Sequence, residues 1–274
     1  ACPGFEQGLA NSSGTVGKYL MVQIGNVVLG RFEELVRMYK APPAHALTEE
    51  FYETNPQNDF IRGFAIQTVG PMPIAFAKQM IVAKSAWGWG LRRAMMDYNH
   101  WAALGVLGEI LPWEDNRVEL AEETDQFGLP VAKVTFALHE NDQKVARAGV
   151  AKTTDILYAA GAREVVEEPR YAHLVGGARM GNDPRTSVTN SFGRTHDIPN
   201  LFVCDGSLFP TQGSANPGLT IQALAARTAD YLISYGDSIL KGKRDCMPTN
   251  PPVRRNLSPA GTSGHGMPRL KTRR

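Results

Sequence analysis

Three segments between residues 173 and 232 decide the reading of this chain: HLVGGARMGNDP (173–184), RTHDIPNLFVCDGSLFPTQG (194–213) and SANPGLTIQALAARTADYL (214–232). His173 opens a glycine-rich turn, and small residues there let backbone and ligand approach closely. Leu201 to Cys204 is short and apolar and reads as a strand. It delivers Asp205 and Gly206 at its C-terminal end, where a carboxylate either faces a ligand or caps the following turn. Asn216-Pro217-Gly218 then opens a helix. Pro217 suits the first turn, where its missing N–H is not needed, and Leu219, Ile221, Leu224, Tyr231 and Leu232 continue the apolar pattern. Asn216 is therefore at or beside the helix cap. A polar loop brought to the positive end of a helix suits an anion or a developing negative charge.

The rest of the composition is ordinary for a globular protein, with 43% hydrophobic and 20% charged residues in 274. The net charge of +2 hides an asymmetry. From Lys241 onward nine Lys/Arg face one acidic residue, leaving 20 basic and 26 acidic residues in the body. Pro and Gly interleave the tail's charges, so a solvated end is favoured over a docking segment. Cys2, Cys204 and Cys246 are too few and too widely spaced for a disulfide framework or a metal site. Cys204 is expected in the core. No run is long and apolar enough to span a membrane, no secretory signal opens the chain, and nothing suggests nucleic acid. The start at Ala1-Cys2-Pro3, without methionine, reads as a fragment.

In chain order, Asn11 to Gly14 is a turn before the apolar segment that follows Val16-Gly17. A strand is expected within 25–40, a loop over 41–58, and a strand over 59–69. Residues 75–98 read as helix interrupted by Trp87-Gly-Trp89-Gly, with the two tryptophans packing on a core or lid or lining a pocket. Strands follow at 101–111, 116–120 and 131–138, the last two joined through a turn at 125–128. A helix over 142–160, with cap candidates at 139–142 and a stop at Gly161, precedes a strand at 162–169. Arg179 is free either to bind an anion or to pair with Asp183.

These motifs together resemble the C-terminal region of the glucose–methanol–choline (GMC) family of FAD-dependent oxidoreductases. The likeness rests on His173 through Gly181, Asn200 through Thr211, Asn216-Pro217 and Gln222 through Arg227. Asn11 through Met21, Asn116-Arg117-Val118 and Phe127 through Pro130 extend it, and it is closest to the sugar and sugar-acid (gluconate-type) dehydrogenase branch. Two departures stand out. Gly177 replaces a usual threonine, and no Gly-x-Gly-x-x-Gly motif for the FAD pyrophosphate occurs, which also disfavours an NAD-type enzyme.

The resemblance implies a mixed α/β and α+β fold: a partial, incomplete Rossmann-like FAD-binding domain and a substrate domain built on an antiparallel sheet packed by helices. It divides the chain into 1–24 and 166–236 (FAD-binding), 25–165 (substrate-binding) and 237–274 (basic tail). It implies oxidation of an alcohol on a sugar, sugar acid or polyol, by a dehydrogenase rather than an oxidase, with hydride passing to flavin N5. It makes His173 the base and Asn216 its partner, and puts Val16, Gly17, Asp205, Gly206, Asn216 and Pro217 against FAD. No metal is implied, and the electron acceptor would be a cytochrome or quinone. The alternative is a non-catalytic fragment or interaction domain without flavin.

Overall fold

The computed structural model describes residues 4–40 and 42–240. The basic stretch from Lys241 onward, Cys2 and Cys246 lie outside the described residues.

The centre is an antiparallel sheet of seven strands. Strand β1 (Met21–Ile24) and β2 (Val27–Arg31) form one bent ribbon, broken at Gly25-Asn26. Next come β3 (Leu47–Thr48), β4 (Phe64–Val69) and the long β5 (Trp101–Gly108), with β8 (Glu164–Glu168) and β9 (Tyr171–Val175) completing the sheet. β5 pairs with β4 on one side and with β2, then β1, on the other. β8 and β9 line the far edges of β2 and β1. The sheet is thus continuous across residues 24/25 and 165/166. A separate hairpin joins β6 (Arg117–Thr124) and β7 (Pro130–Thr135) through the expected turn at Asp125–Gly128.

Helices cover both faces. On one, α3 (Glu140–Ala159) buries Val145, Gly149, Thr153 and Leu157 in a stripe against Val28, Phe64 and Val106. Asp142 in its first turn accepts from the His139 N–H and from the Trp113 indole, and so ties the helix start to the chain entering the hairpin. On the other face, α1 (Pro73–Lys84) and α2 (Gly88–Met96) pack Phe76, Met80, Leu91 and Met95 against Val27, Leu29 and Trp101. The C-terminal α4 spans Gly218–Leu240 and so runs past the boundary expected at 236.

Three expectations are corrected. Leu201 to Cys204 is not a strand, because its only ladder contacts are with residues 193–195 and no second neighbour extends them. Cys204 is exposed rather than in the core. Trp87 and Trp89 neither pack on the core nor line a pocket. Left-handed Ser85 and Gly88 turn that corner away from the sheet, and both rings are solvent-exposed.

Candidate active site

β9 pairs with β1 in regular register except at one place. Val22 faces Leu174 and Gln23 faces Ala172, so His173 is the extra residue of a β-bulge. Bulges re-aim a side chain at the cost of local strain. The bulge shows in the backbone, because His173 has φ +45°, in the left-handed region that non-glycine residues rarely adopt. The bulge is fastened from behind: Gln212 Nε2 donates to the His173 carbonyl at 2.8 Å.

The imidazole points toward the loop ahead of α4. Its Nε2 lies 3.1 Å from Asn216 Nδ2, and its Nδ1 lies 2.5 Å from Gln23 Oε1. Gln23 is fully buried in β1. Its amide nitrogen donates to the Gly213 and Ser214 carbonyls at 2.8 and 2.9 Å, which leaves its oxygen facing the histidine. Nδ1 must therefore carry the proton, and the Nε2 lone pair faces Asn216. Burial, and secondarily the Arg170 charge, lower the His173 pKa from 6.5 and favour neutral imidazole.

Gln23 gave no functional signal in the sequence beyond being a polar residue in an apolar strand. Glu109 was likewise not singled out. It follows β5 as a buried carboxyl 3.7 Å from Arg62 Nε. Burial raises its pKa, against the opposing pull of Arg62, Ser214 and Tyr52.

The residues expected against a cofactor divide. Asn216 and Pro217 stand directly before α4, whose first residues, Gly218 to Thr220, are exposed. Gly206 is backed by Ile221, Val175 and the Leu174 carbonyl, so that a Cβ there would press at 3.2–3.4 Å. Asp205 is spent largely on the turn after it, accepting from the Ser207 N–H and hydroxyl at 2.8 and 2.6 Å. The Val16 N–H donates to Asn11 Oδ1 and the Gly17 N–H to the Gly177 carbonyl. Neither amide is free, so any ligand contact there uses the exposed Val16 side chain. Arg179 lies over the Tyr19 ring at 4.6 Å, while Asp183 pairs with Arg185. Among the described residues no group of three or more His, Cys, Asp or Glu could hold a metal ion, and no helix is long and apolar enough to cross a membrane.

The site is thus a bulged histidine on an antiparallel sheet, facing an asparagine just ahead of a long C-terminal helix. Residues 112–225 match the family model described as GMC oxidoreductase, and the chain carries the C-terminal domain of that family. The chain is 37% identical over 243 residues to the 2-methyl-1,2-propanediol dehydrogenase of Mycolicibacterium austroafricanum, covering 84% of this chain and 44% of that protein. It is 36% identical over 130 residues to the fructose dehydrogenase large subunit of Gluconobacter japonicus, covering 46% and 24%. The fold is similar to that of an Aspergillus oryzae RIB40 formate oxidase variant, with a TM-score of 0.56 at 16% identity, covering 82% of this chain and 48% of that one. The chain thus spans less than half the length of these relatives.

Proposed function

We propose that this chain forms the substrate-facing half of an FAD-dependent dehydrogenase that oxidises an alcohol group of a sugar, sugar acid or polyol to a carbonyl. Residues 25–165 would bind substrate, and residues 1–24 and 166–236 would face the cofactor. The observation that carries the reading is the bulged His173, locked in the Nδ1–H tautomer by Gln23, with Nε2 turned to Asn216.

A substrate hydroxyl entering between the two side chains donates its proton to His173 Nε2. A neutral imidazole suits that step near pH 7. Asn216 cannot act as a base, and its amide hydrogen-bonds and orients the substrate oxygen. The exposed first turn of α4 offers N–H groups and a positive dipole end to a group that becomes anionic. FAD, when bound, supplies the hydride acceptor.

The fit of FAD is one-sided. The α4 start and the tight surface at Gly206 suit the flank of a planar ring system, whereas the Val16 and Gly17 amides are already used. With no Gly-x-Gly-x-x-Gly motif here, the diphosphate would be held by chain outside these 274 residues. The Gluconobacter relative is named a large subunit, which supports a dehydrogenase built of more than one subunit, and the electron acceptor proposed for it is a cytochrome or quinone.

The test has two parts. The purified 274-residue chain, incubated with FAD and desalted, should retain little yellow colour. In the complete protein, His173→Ala should keep the flavin absorbance but lose its bleaching by substrate. Bleaching at the normal rate would show that His173 is not the base.

A further inference from the structure

Phe60 through Met96 contain no Asp or Glu, but include Arg62, Lys78, Lys84, Arg92 and Arg93. The stretch ends in the α1–α2 corner. α1 is apolar on two faces. Phe76 and Met80 point into the sheet, while Ile74, Ile81 and Val82 lie on the opposite side, exposed. A helix apolar all round is normally covered. Here the open face continues into Trp87, Trp89 and Met96, which are 82%, 76% and 74% exposed. Such a contiguous patch, carrying two tryptophans, is uncommon on a bare surface.

The charges around the patch are arranged to leave a positive remainder. Lys78 and Lys84 pair with Glu168 and Glu164, and Asp97 pairs with Arg31. The nearby carboxylates are thus taken up by other cations. Arg92 stacks over the Trp89 ring at 4.8 Å, and neither Arg92 nor Arg93 has an ion-pair partner among the described residues.

We propose that the α1–α2 corner docks on an anionic lipid surface, with Trp87 and Trp89 seated at the headgroup boundary. Indole rings favour that boundary because one edge is polar and the body apolar. Arg92 and Arg93 sit on the same helix as Trp89 and complement the lipid phosphates, and the nearby carboxylates Asp97, Glu164 and Glu168 are each paired with a cation, which limits repulsion. Ile74 and Val82 extend the buried area along α1. Two arginines without carboxylate partners favour an anionic surface, and docking of a second copy is an outcome of the test below. The corner lies on the sheet face opposite α3, packed against the Trp101 end of β5. The His173 bulge lies toward the Gly108 end, about seven residues or ~23 Å of strand away. Docking therefore leaves the candidate active site open.

The experiment is flotation of the 274-residue chain with phosphatidylcholine vesicles with and without phosphatidylglycerol, followed by tryptophan emission and quenching by brominated lipid. Binding is expected with phosphatidylglycerol vesicles, with a blue shift, strong bromine quenching and loss of binding in high salt. Trp87→Ser with Trp89→Ser should weaken binding roughly tenfold or more. Ile74→Ser with Val82→Ser should weaken it several-fold, and its intact far-UV circular dichroism would confirm folding. The basic stretch after Lys241 remains in all variants, so binding unchanged in the tryptophan variant would overturn the proposal. So would no binding to anionic vesicles, or a dimer in sedimentation that the tryptophan variant converts to monomer, since the patch would then belong to a second copy.

Discussion

His173 Nδ1 and Gln23 Oε1 lie 2.5 Å apart, although 150 residues separate them in sequence. The contact decides which nitrogen is basic. Replacing Gln23 by Ala frees the tautomer and strips the buried Ser214 carbonyl and the part-buried Gly213 carbonyl of their donor. The complete enzyme is expected to lose roughly 10- to 100-fold in kcat with a smaller change in KM. Stability should fall by about 1–3 kcal/mol. Steady-state kinetics and urea melts read both effects. An unchanged kcat would show that Gln23 does not set the base.

The depressed His173 pKa makes a prediction about acid. Neutral imidazole is favoured in the folded protein by burial and by Arg170. Below the ordinary value of 6.5 the unfolded chain binds a proton before the folded one does, so this residue's contribution to stability is lost as pH falls toward the folded pKa. His173→Asn should flatten the acid-side loss of stability in that window, as read by denaturant titrations on either side of pH 6.5. In the complete enzyme the acid limb of kcat/KM should likewise have its midpoint below 6.5.

Glu109 gives the opposite sign. Its folded pKa is raised, chiefly by burial. The folded protein therefore holds a proton at pH values where the unfolded carboxyl has lost it. Stability falls as pH rises from the ordinary carboxyl value of 4.5 through the folded pKa. Glu109→Gln keeps the shape without the charge, and should reduce that fall. Arg62, nearly half-exposed, tolerates the loss of its partner through solvent. A steeper pH dependence in Glu109→Gln would contradict the burial account.

The candidate pair was legible in sequence because local signals coincided there: a histidine before glycines, and Asn-Pro-Gly before an apolar helix. Its geometry was not legible. That His173 occupies a bulge depends on the register of β9 against β1, two segments 150 residues apart, and no local pattern encodes the shift after Val22. Gln23 was silent for the same reason, since its partners come from 173, 213 and 214. The hairpin, α3 and the break between α1 and α2 were readable from turn residues and periodicity. Leu201 to Cys204 was misread because an apolar run specifies burial or pairing only when a neighbour is present to supply it. The tryptophans at 87 and 89 were misread because the left-handed turns at Ser85 and Gly88 decide where they point.

Gly176 tests how the site's strand is terminated. It has φ +86°, and a Cβ there would lie 2.2 Å from the Tyr19 carbonyl oxygen, which is backbone and cannot step aside. Gly176→Ala should therefore cost roughly 3 kcal/mol or more, from strain and overlap together. The damage would spread to His173 three residues before it.

Gly149 tests the other side of the sheet. α3 is held close to β5 because Gly149 faces Val106, and a Cβ on it would meet Val106 Cγ1 at 2.4 Å, with Phe64 behind at 3.4 Å. The obstacle here is a methyl group rather than backbone, so the clash is relieved by truncating its owner. Gly149→Ala alone should destabilise by about 1–3 kcal/mol despite alanine's better helix propensity. Val106→Ala alone should cost a similar amount by leaving a cavity. The double variant should cost less than the sum, by roughly 1 kcal/mol or more, because the added methyl fills the space the valine vacates. Additive losses in urea melts would mean that α3 shifts away from the sheet instead of packing into the gap.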